Sequence, residues 1–150
     1  LQSGIFREGD SFGNDKEDAS KYERRPQKIA NYVYMDKHRS KAGALGNIEE
    51  NDGWVFRGRG FLQCTGRANY RKFASEMRLP DVMKEPSLVS TSYAFDSAYW
   101  FFNRNGLFKI ADKGVNDDVI SEITKRVNGG YHGLDDRINQ TNKIYKWLQT

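Results

Sequence analysis

The stretch Gly53–Tyr70 reads GWVFRGRGFLQCTGRANY and packs four glycines, three arginines and four aromatic residues into eighteen positions. Such a mix fits an arginine–glycine grip on nucleic acid, a loop that cradles phosphate, or one wall of a site for something else. A phosphate loop of the Walker type requires a lysine and then Ser or Thr after its glycines, to reach phosphate and magnesium. Here Gly60 is followed by Phe61-Leu62-Gln63, so the cation is missing. Arg57, Arg59, Arg67 and Arg71, with Tyr70 and Phe56 close by, are able to pair phosphates and stack bases. Against nucleic acid stand the acids Glu49, Glu50 and Asp52 just upstream, and no DNA- or RNA-binding pattern accompanies the arginines. A cysteine nucleophile needs a histidine brought to it in space. Cys64 lies between Gln63 and Thr65 in an alternating run, and the chain holds only His38 and His132. It reads as a small packed residue.

Working outward, 150 residues are one domain, 1–150, long enough to bury a core. With 37% hydrophobic, 29% charged and 13% aromatic residues, the composition excludes disorder. The net charge of +4 favours an anionic partner, either a nucleic acid or an acidic polymer such as a bacterial wall. A single cysteine excludes an intramolecular disulfide. Two distant histidines and scattered carboxylates give no metal spacing, and no cofactor motif is present. No apolar run reaches the roughly 18 residues of a membrane span, and no signal peptide is visible. Nothing specifies an assembly state. The start Leu1-Gln2-Ser3-Gly4, without methionine, leads us to expect a fragment or a processed product lacking an N-terminal portion.

Residues 7–25 read as a long polar loop, and a helix is predicted over 26–39, with Pro26 in its first turn and Ile29, Tyr32 and Val33 on one side. Gly43, Gly46, Asn47, Asp52 and Gly53 mark a second loop. After Gly66, Tyr70, Phe73, Ala74 and Met77 fall at helical spacing until Pro80. Thr91 is the expected cap of a helix burying Ala94, Phe95, Ala98, Phe101 and Phe102 and ending near Gly106. Asn116 opens another helix, with Val119, Ile120, Ile123 and Val127 inward and Asn128-Gly129-Gly130 as its stop. The last segment repeats Leu134, Ile138, Thr141, Tyr145 and Leu148 on one face. Strand patterns are scarce, and 54–63 alone suits a short hairpin. The fold class is mainly α.

Carbohydrate chemistry remains. Glycoside hydrolysis needs two carboxyl groups across the bond, within a groove of amides, hydroxyls and rings. Gln63, Thr65, Asn69 and Asn128 are suitable polar groups, and Phe56, Tyr70, Tyr93, Trp100 and Tyr131 are candidate rings. Carboxylates lie in both loops: Glu8, Asp10, Glu17 and Asp18 in the first, Glu49, Glu50 and Asp52 in the second.

The opening stretch closely resembles the segment DGWRYRGRGLIQLTGRANY of family-19 glycoside hydrolases of the phage-lysin type. Three further segments agree in order. Residues 26–34, PQKIANYVY, resemble the family's IANxVY helix. SAYWFF at 97–102 resembles its SAAWFF helix, and ITKRVNGG at 123–130 with GLDDR at 133–137 resembles its INGG…GLxDR ending. The resemblance runs from about residue 22 to the C-terminus. It implies a mostly helical, lysozyme-like, two-lobed domain that hydrolyses β-1,4 glycan with inversion, a family shared by plant chitinases and phage endolysins. It also implies that Gln63 and Thr65 hold water and substrate, that Asn128 contacts sugar, and that Arg137 orients a catalytic carboxylate.

The family's general acid lies in a motif like HESGGF. Aligned without a gap, Leu1 falls on the histidine and Gln2 on the acid. A glutamine amide cannot donate a proton as a general acid. An engineered variant, a weakened sugar-binding homologue, and an acid upstream of residue 1 are three explanations, and the third is the expectation. The second carboxylate is assigned to Glu8, with Glu17 the alternative. The resulting expectation is a phage-encoded wall hydrolase, an endolysin or a virion component. It acts on peptidoglycan strands in the periplasm or from the virion, with no nucleic-acid partner, no membrane and no metal. Chitin is the second substrate, and a catalytically silent glycan-binding or structural virion domain is the rival from another class.

Overall fold

Helix after helix follows where apolar residues recur at helical spacing. The computed structural model describes residues 21–150, so Gln2, Glu8 and Glu17 lie outside the described residues. Seven α-helices are present among them: α1 (Pro26–Tyr34), α2 (Asp52–Val55), α3 (Arg67–Glu76), α4 (Ala94–Arg104), α5 (Leu107–Ala111), α6 (Asp117–Asn128) and α7 (Leu134–Leu148). The mainly α expectation is met. The hairpin expected within 54–63 is reduced to one antiparallel bridge, in which Arg59 and Cys64 exchange backbone hydrogen bonds of 3.1 and 2.8 Å. Its first residues form the short α2 instead. The described residues divide into two compact units: residues 21–59 with 63–88, and residues 60–62 with 89–150.

In the first unit, Tyr70, Phe73 and Ala74 of α3 are buried as their spacing predicts, together with Ala30, Met35, Phe56 and Val82. Each large apolar side chain taken fully from water contributes roughly 1.5–3 kcal/mol. The helix expected over 26–39 stops at Tyr34, and a 3₁₀ turn, Asp36–His38, follows. Two tertiary demands break it. The Met35 side chain is buried, and the Asp36 carboxylate accepts the amides of Leu45 (2.7 Å) and Gly46 (2.9 Å). Asn47, fully buried, ties the two ends together. Its Nδ2 donates to the Tyr34 carbonyl (2.9 Å), and its Oδ1 accepts the Arg67 amide (2.8 Å) that begins α3. Position 53 must be glycine, because a Cβ there would sit 2.5 Å from the Ala30 carbonyl oxygen and 2.7 Å from Asn31 Cα.

In the second unit, Leu107, Ile110 and Val119 form the core, with Phe101, Phe102, Ile123 and Val127 packed on it. Helix α6 starts where Asn116 Oδ1 accepts the Val119 amide at 3.0 Å, and ends at Gly129 in the left-handed region (φ 70°). Asn116→Ala is expected to lower stability by about 1 kcal/mol, read from the denaturant midpoint. Thr124 is buried within α6, and its Oγ1 has no hydrogen-bond partner. Thr124→Val is therefore expected to leave stability unchanged or raise it by about 1 kcal/mol, since it removes a desolvated hydroxyl at nearly constant shape. A loss in the same denaturation measurement would refute this.

Three expectations are corrected in this unit. Helix α4 begins at Ala94 rather than after a Thr91 cap, and it buries Ser97 and Trp100. Phe95, two residues from Ser97, points the other way and is 79% exposed, its ring edge-on to Phe61 at 4.8 Å. In α7, Leu134, Ile138 and Thr141 are half-buried, whereas Tyr145 and Leu148 stay exposed with Ile144 and Trp147.

Candidate functional site

Backbone turns bring the polar side chains of the opening stretch together. Gln63 sits in the turn that the Arg59–Cys64 bridge closes, and its own φ of 54° is left-handed without being glycine. Such a conformation costs of order 1 kcal/mol or more and is held by its surroundings. The Thr65 hydroxyl donates to the Gln63 carbonyl at 2.8 Å, and Asn69 Nδ2 donates to the Thr65 carbonyl at 2.8 Å. Gly58 leaves room for both side chains. A Cβ there would fall on Gln63 Oε1 and within 3.0 Å of Thr65 Oγ1. Gln63 and Asn69 are exposed and Thr65 is half-buried. Because the single hydroxyl proton of Thr65 is committed to Gln63, Oγ1 meets any further partner as an acceptor. The row of amide, hydroxyl and amide matches sugar hydroxyls, or a water that must be held with one hydrogen engaged.

The arginines behind this row are structural. Tyr70 donates from its hydroxyl to the Arg57 carbonyl (2.8 Å) and accepts from Arg59 Nη1 (3.0 Å), which also donates to the Val55 carbonyl (2.7 Å). Arg57 donates to the Trp54 carbonyl at 2.9 Å and lies over the Trp54 ring at 3.8 Å. Arg67 is paired with Asp52: Nε to Oδ2 is 2.7 Å, and Nη2 bonds Oδ1. Asp52 Oδ2 also accepts the amides of Ile48 (3.1 Å) and Glu49 (3.0 Å). Burial alone would raise the Asp52 pKa, but the Arg67 hydrogen bond and these amides outweigh it and hold the carboxyl below its ordinary 3.8.

Several candidates change place as a result. Asp52, a loop carboxylate by sequence, is a buried strut and not a base facing solvent. Tyr70 is 0% exposed, so its ring is no platform for sugar; it supports the backbone under the row. Phe56 and Trp100, also candidate rings, are core residues, while Tyr131 is 53% exposed. Cys64 is half-buried, and burial pushes its thiol up to about 12, far from a thiolate nucleophile. Among the described residues no cluster of metal-ligating side chains is present.

The second unit gathers the other two predicted residues. Asn128, the last residue of α6, donates from Nδ2 to the His132 carbonyl at 3.2 Å, and Arg137 Nη1 donates to the same oxygen at 2.6 Å. Both side chains are exposed. Arg137 thus braces the loop that follows α6, and the candidate carboxylates Glu8 and Glu17 lie outside the described residues. Asn47 and Asn31 were missed by sequence reasoning. Asn31 Oδ1 accepts the Trp54 amide at 2.8 Å, a long-range bond that no local pattern announces.

Comparison with known proteins follows the same lines. The chain is 33% identical over 132 residues to a glycosyl hydrolase family 19 domain-containing protein of Haemophilus influenzae, a match covering 87% of this chain and 56% of that protein. It is 35% identical over 97 residues to an inactive endochitinase of Arabidopsis thaliana, covering 61% of this chain and 32% of the relative. The chain therefore spans about half the length of the first relative and a third of the second. No family profile matches it.

Proposed function

We propose a function from the premise that this chain belongs to glycoside hydrolase family 19 and is chitinase-like: it hydrolyses β-1,4 glycosidic bonds of bacterial peptidoglycan by single displacement with inversion. The observation that carries this reading is the preorganised row of Gln63, Thr65 and Asn69. Inversion needs a water held on the face opposite the leaving oxygen, while a carboxylate removes its proton. Thr65 Oγ1 accepts one hydrogen of that water and so aims a lone pair at the anomeric carbon. The Gln63 and Asn69 amides meet the sugar's hydroxyl and acetamido groups, and Asn128 makes a further sugar contact. The base is assigned to Glu8, with Glu17 the alternative, and Arg137 is the cation that orients a catalytic carboxylate. Gln2 falls on the general-acid position in an ungapped alignment, and because an amide cannot protonate the leaving oxygen, the hydrolase reading requires a carboxylic acid other than Gln2 to do so.

The setting we assign is a phage-encoded lysin or virion-borne wall hydrolase, supported by the endolysin-type wording of the Gly53–Tyr70 motif and by a net charge of +4 suited to an anionic wall. A second reading is a catalytically silent glycan-binding virion domain. Gln2, whose amide cannot act as an acid, and a relative named as an inactive endochitinase both favour it.

The test adds the chain to permeabilised Gram-negative cells and to purified peptidoglycan, following turbidity, reducing ends and the anomer first released. Lysis with inverted product supports hydrolysis. Retention on peptidoglycan without reducing ends selects the silent reading, and reducing ends from chitin alone make chitin the substrate. Full activity in both Glu8→Gln and Glu17→Gln would remove the assignment of the base.

A further inference from the structure

Four glycines stand in the stretch Gly53–Tyr70, and the backbone accounts for three of them. A Cβ on Gly53 would meet the Ala30 carbonyl oxygen at 2.5 Å and Asn31 Cα at 2.7 Å. Gly60 and Gly66 have φ of 75° and 92°, on the left-handed side that a Cβ disfavours. The carbonyl oxygens of Val89 and Leu45 also crowd them, at 3.2 and 2.8 Å from a Cβ. Gly58 has neither reason. Its φ lies outside the left-handed region, and none of the three atoms nearest to an added Cβ belongs to backbone. Those atoms are Gln63 Oε1, on which the Cβ would fall, Thr65 Oγ1 at 3.0 Å and Gln63 Cδ at 3.3 Å. What first excludes a larger residue at position 58 is therefore the pair of side chains that opens the Gln63–Thr65–Asn69 row.

Which partner would give way depends on what holds each. The chain about Gly58 is pinned on both sides. The Arg57 carbonyl before it accepts the Tyr70 hydroxyl at 2.8 Å, and Arg59 after it exchanges backbone hydrogen bonds of 3.1 and 2.8 Å with Cys64. The Phe56 carbonyl accepts the Gly66 amide at 2.8 Å. Gln63 is exposed, and its amide is carried on a flexible stem that turns aside more easily than the pinned peptide moves. Thr65 has less freedom, because its hydroxyl is committed to the Gln63 carbonyl at 2.8 Å. A methyl group at position 58 thus unseats the Gln63 amide and presses on the Thr65 hydroxyl, while the backbone stays where it is.

We infer that Gly58 is a positioning residue for the reaction: its missing side chain is the seat of the Gln63 amide and the Thr65 hydroxyl, and the site requires it where the fold does not. The inference rests on the hydrolase reading above for what the seated groups do, and adds the residue that sets where they stand.

The test compares Gly58→Ala and Gly53→Ala with the wild-type chain. The denaturation midpoint of Gly58→Ala is expected to equal or exceed that of wild type, because alanine at a permitted φ has less freedom to lose on folding. That of Gly53→Ala should fall, since its Cβ meets backbone. The side-chain amide resonances of Gln63, identified by their loss in Gln63→Ala, should move in Gly58→Ala. On purified peptidoglycan or soluble chito-oligosaccharides, Gly58→Ala should lower kcat about 10- to 100-fold, as misplacement near the reacting atoms does. In the Gln63→Ala background the same methyl group has less to displace, and its further cost should stay below about threefold. A purely structural glycine would lower the midpoint and cost the same in both backgrounds. A midpoint that falls with that of Gly53→Ala overturns the proposal, and so does an unmoved Gln63 signal or an equal loss with and without the Gln63 side chain. If wild type releases reducing ends from neither glycan, the hydrolase reading fails, while the midpoint and the Gln63 resonances still decide whether Gly58 seats the row.

Discussion

Asp52→Ala is expected to lower the stability of the chain by about 3 kcal/mol, the lower end of what breaking a buried ion pair costs. The Asp52 side chain is 2% exposed and that of Arg67 28%, so the stranded guanidinium recovers part of its hydration. The same change leaves the amides of Ile48 and Glu49 without their acceptor. Denaturant unfolding followed by tryptophan fluorescence measures the loss, and a midpoint shift no larger than that of an exposed Asp→Ala control refutes it. A pH dependence accompanies it. With its folded pKa held below 3.8, the Asp52 carboxylate contributes stability that is whole above that value and is lost as pH falls through the folded pKa. Asp52→Asn has no such group, so the gap between wild type and this variant should narrow on acidification below about pH 4. A gap that stays constant down to about pH 2 would contradict the assignment of Asp52 as the titrating strut.

Gln63→Ala and Thr65→Val are each expected to reduce kcat/KM on the cleaved glycan by about 10²- to 10³-fold, the range typical of removing one preorganised polar group at a reacting centre. Gln63 is exposed and Thr65 half-buried, so unfolding should not be the cause. The discriminating comparison is Thr65→Ser, which keeps the hydroxyl and should retain most activity. If Thr65→Val were as active as Thr65→Ser, the hydroxyl would have no part in holding water. Equal loss in both variants would point to packing rather than hydrogen bonding.

Much of this architecture is legible locally. Tyr70, Phe73 and Ala74 lie on the buried side of α3 because three- and four-residue spacing puts them on one face, and Asn116 announces α6 because its side chain can bond the third amide onward. The stretch from Gly53 to Tyr70 also marks the polar row, since Gln63, Thr65 and Asn69 lie on one continuous path of chain. What local reasoning misses is set by partners distant in sequence. Asp52 looks like a member of a solvated acidic run until Arg67, fifteen residues on, closes over it. Tyr70 has the same composition whether its ring faces a groove or a core. Only the carbonyl of Arg57 and the guanidinium of Arg59 decide that it is buried. Phe95 belongs to an apolar-rich run whose phase is set by Ser97 and Trp100, not by hydrophobicity. Met35 ends α1 early because its burial and the carboxylate of Asp36 count for more than helix continuation.

Asn47 makes one further difference to how the chain moves. Its backbone carbonyl accepts the Asp36 amide (3.0 Å), while its side chain holds the Tyr34 carbonyl and the Arg67 amide. The exit of one helix and the entrance of another therefore share a single fully buried latch. In amide hydrogen exchange, the protons on Asp36 and Arg67 should report one common opening event, with matched protection that falls together when Asn47 is replaced by Ala. Independent exchange at the two positions would mean that the ends of α1 and α3 breathe separately. Matched exchange would make the polar row, which runs from Gln63 into the first turn of α3, only as mobile as the loop that carries Asn47.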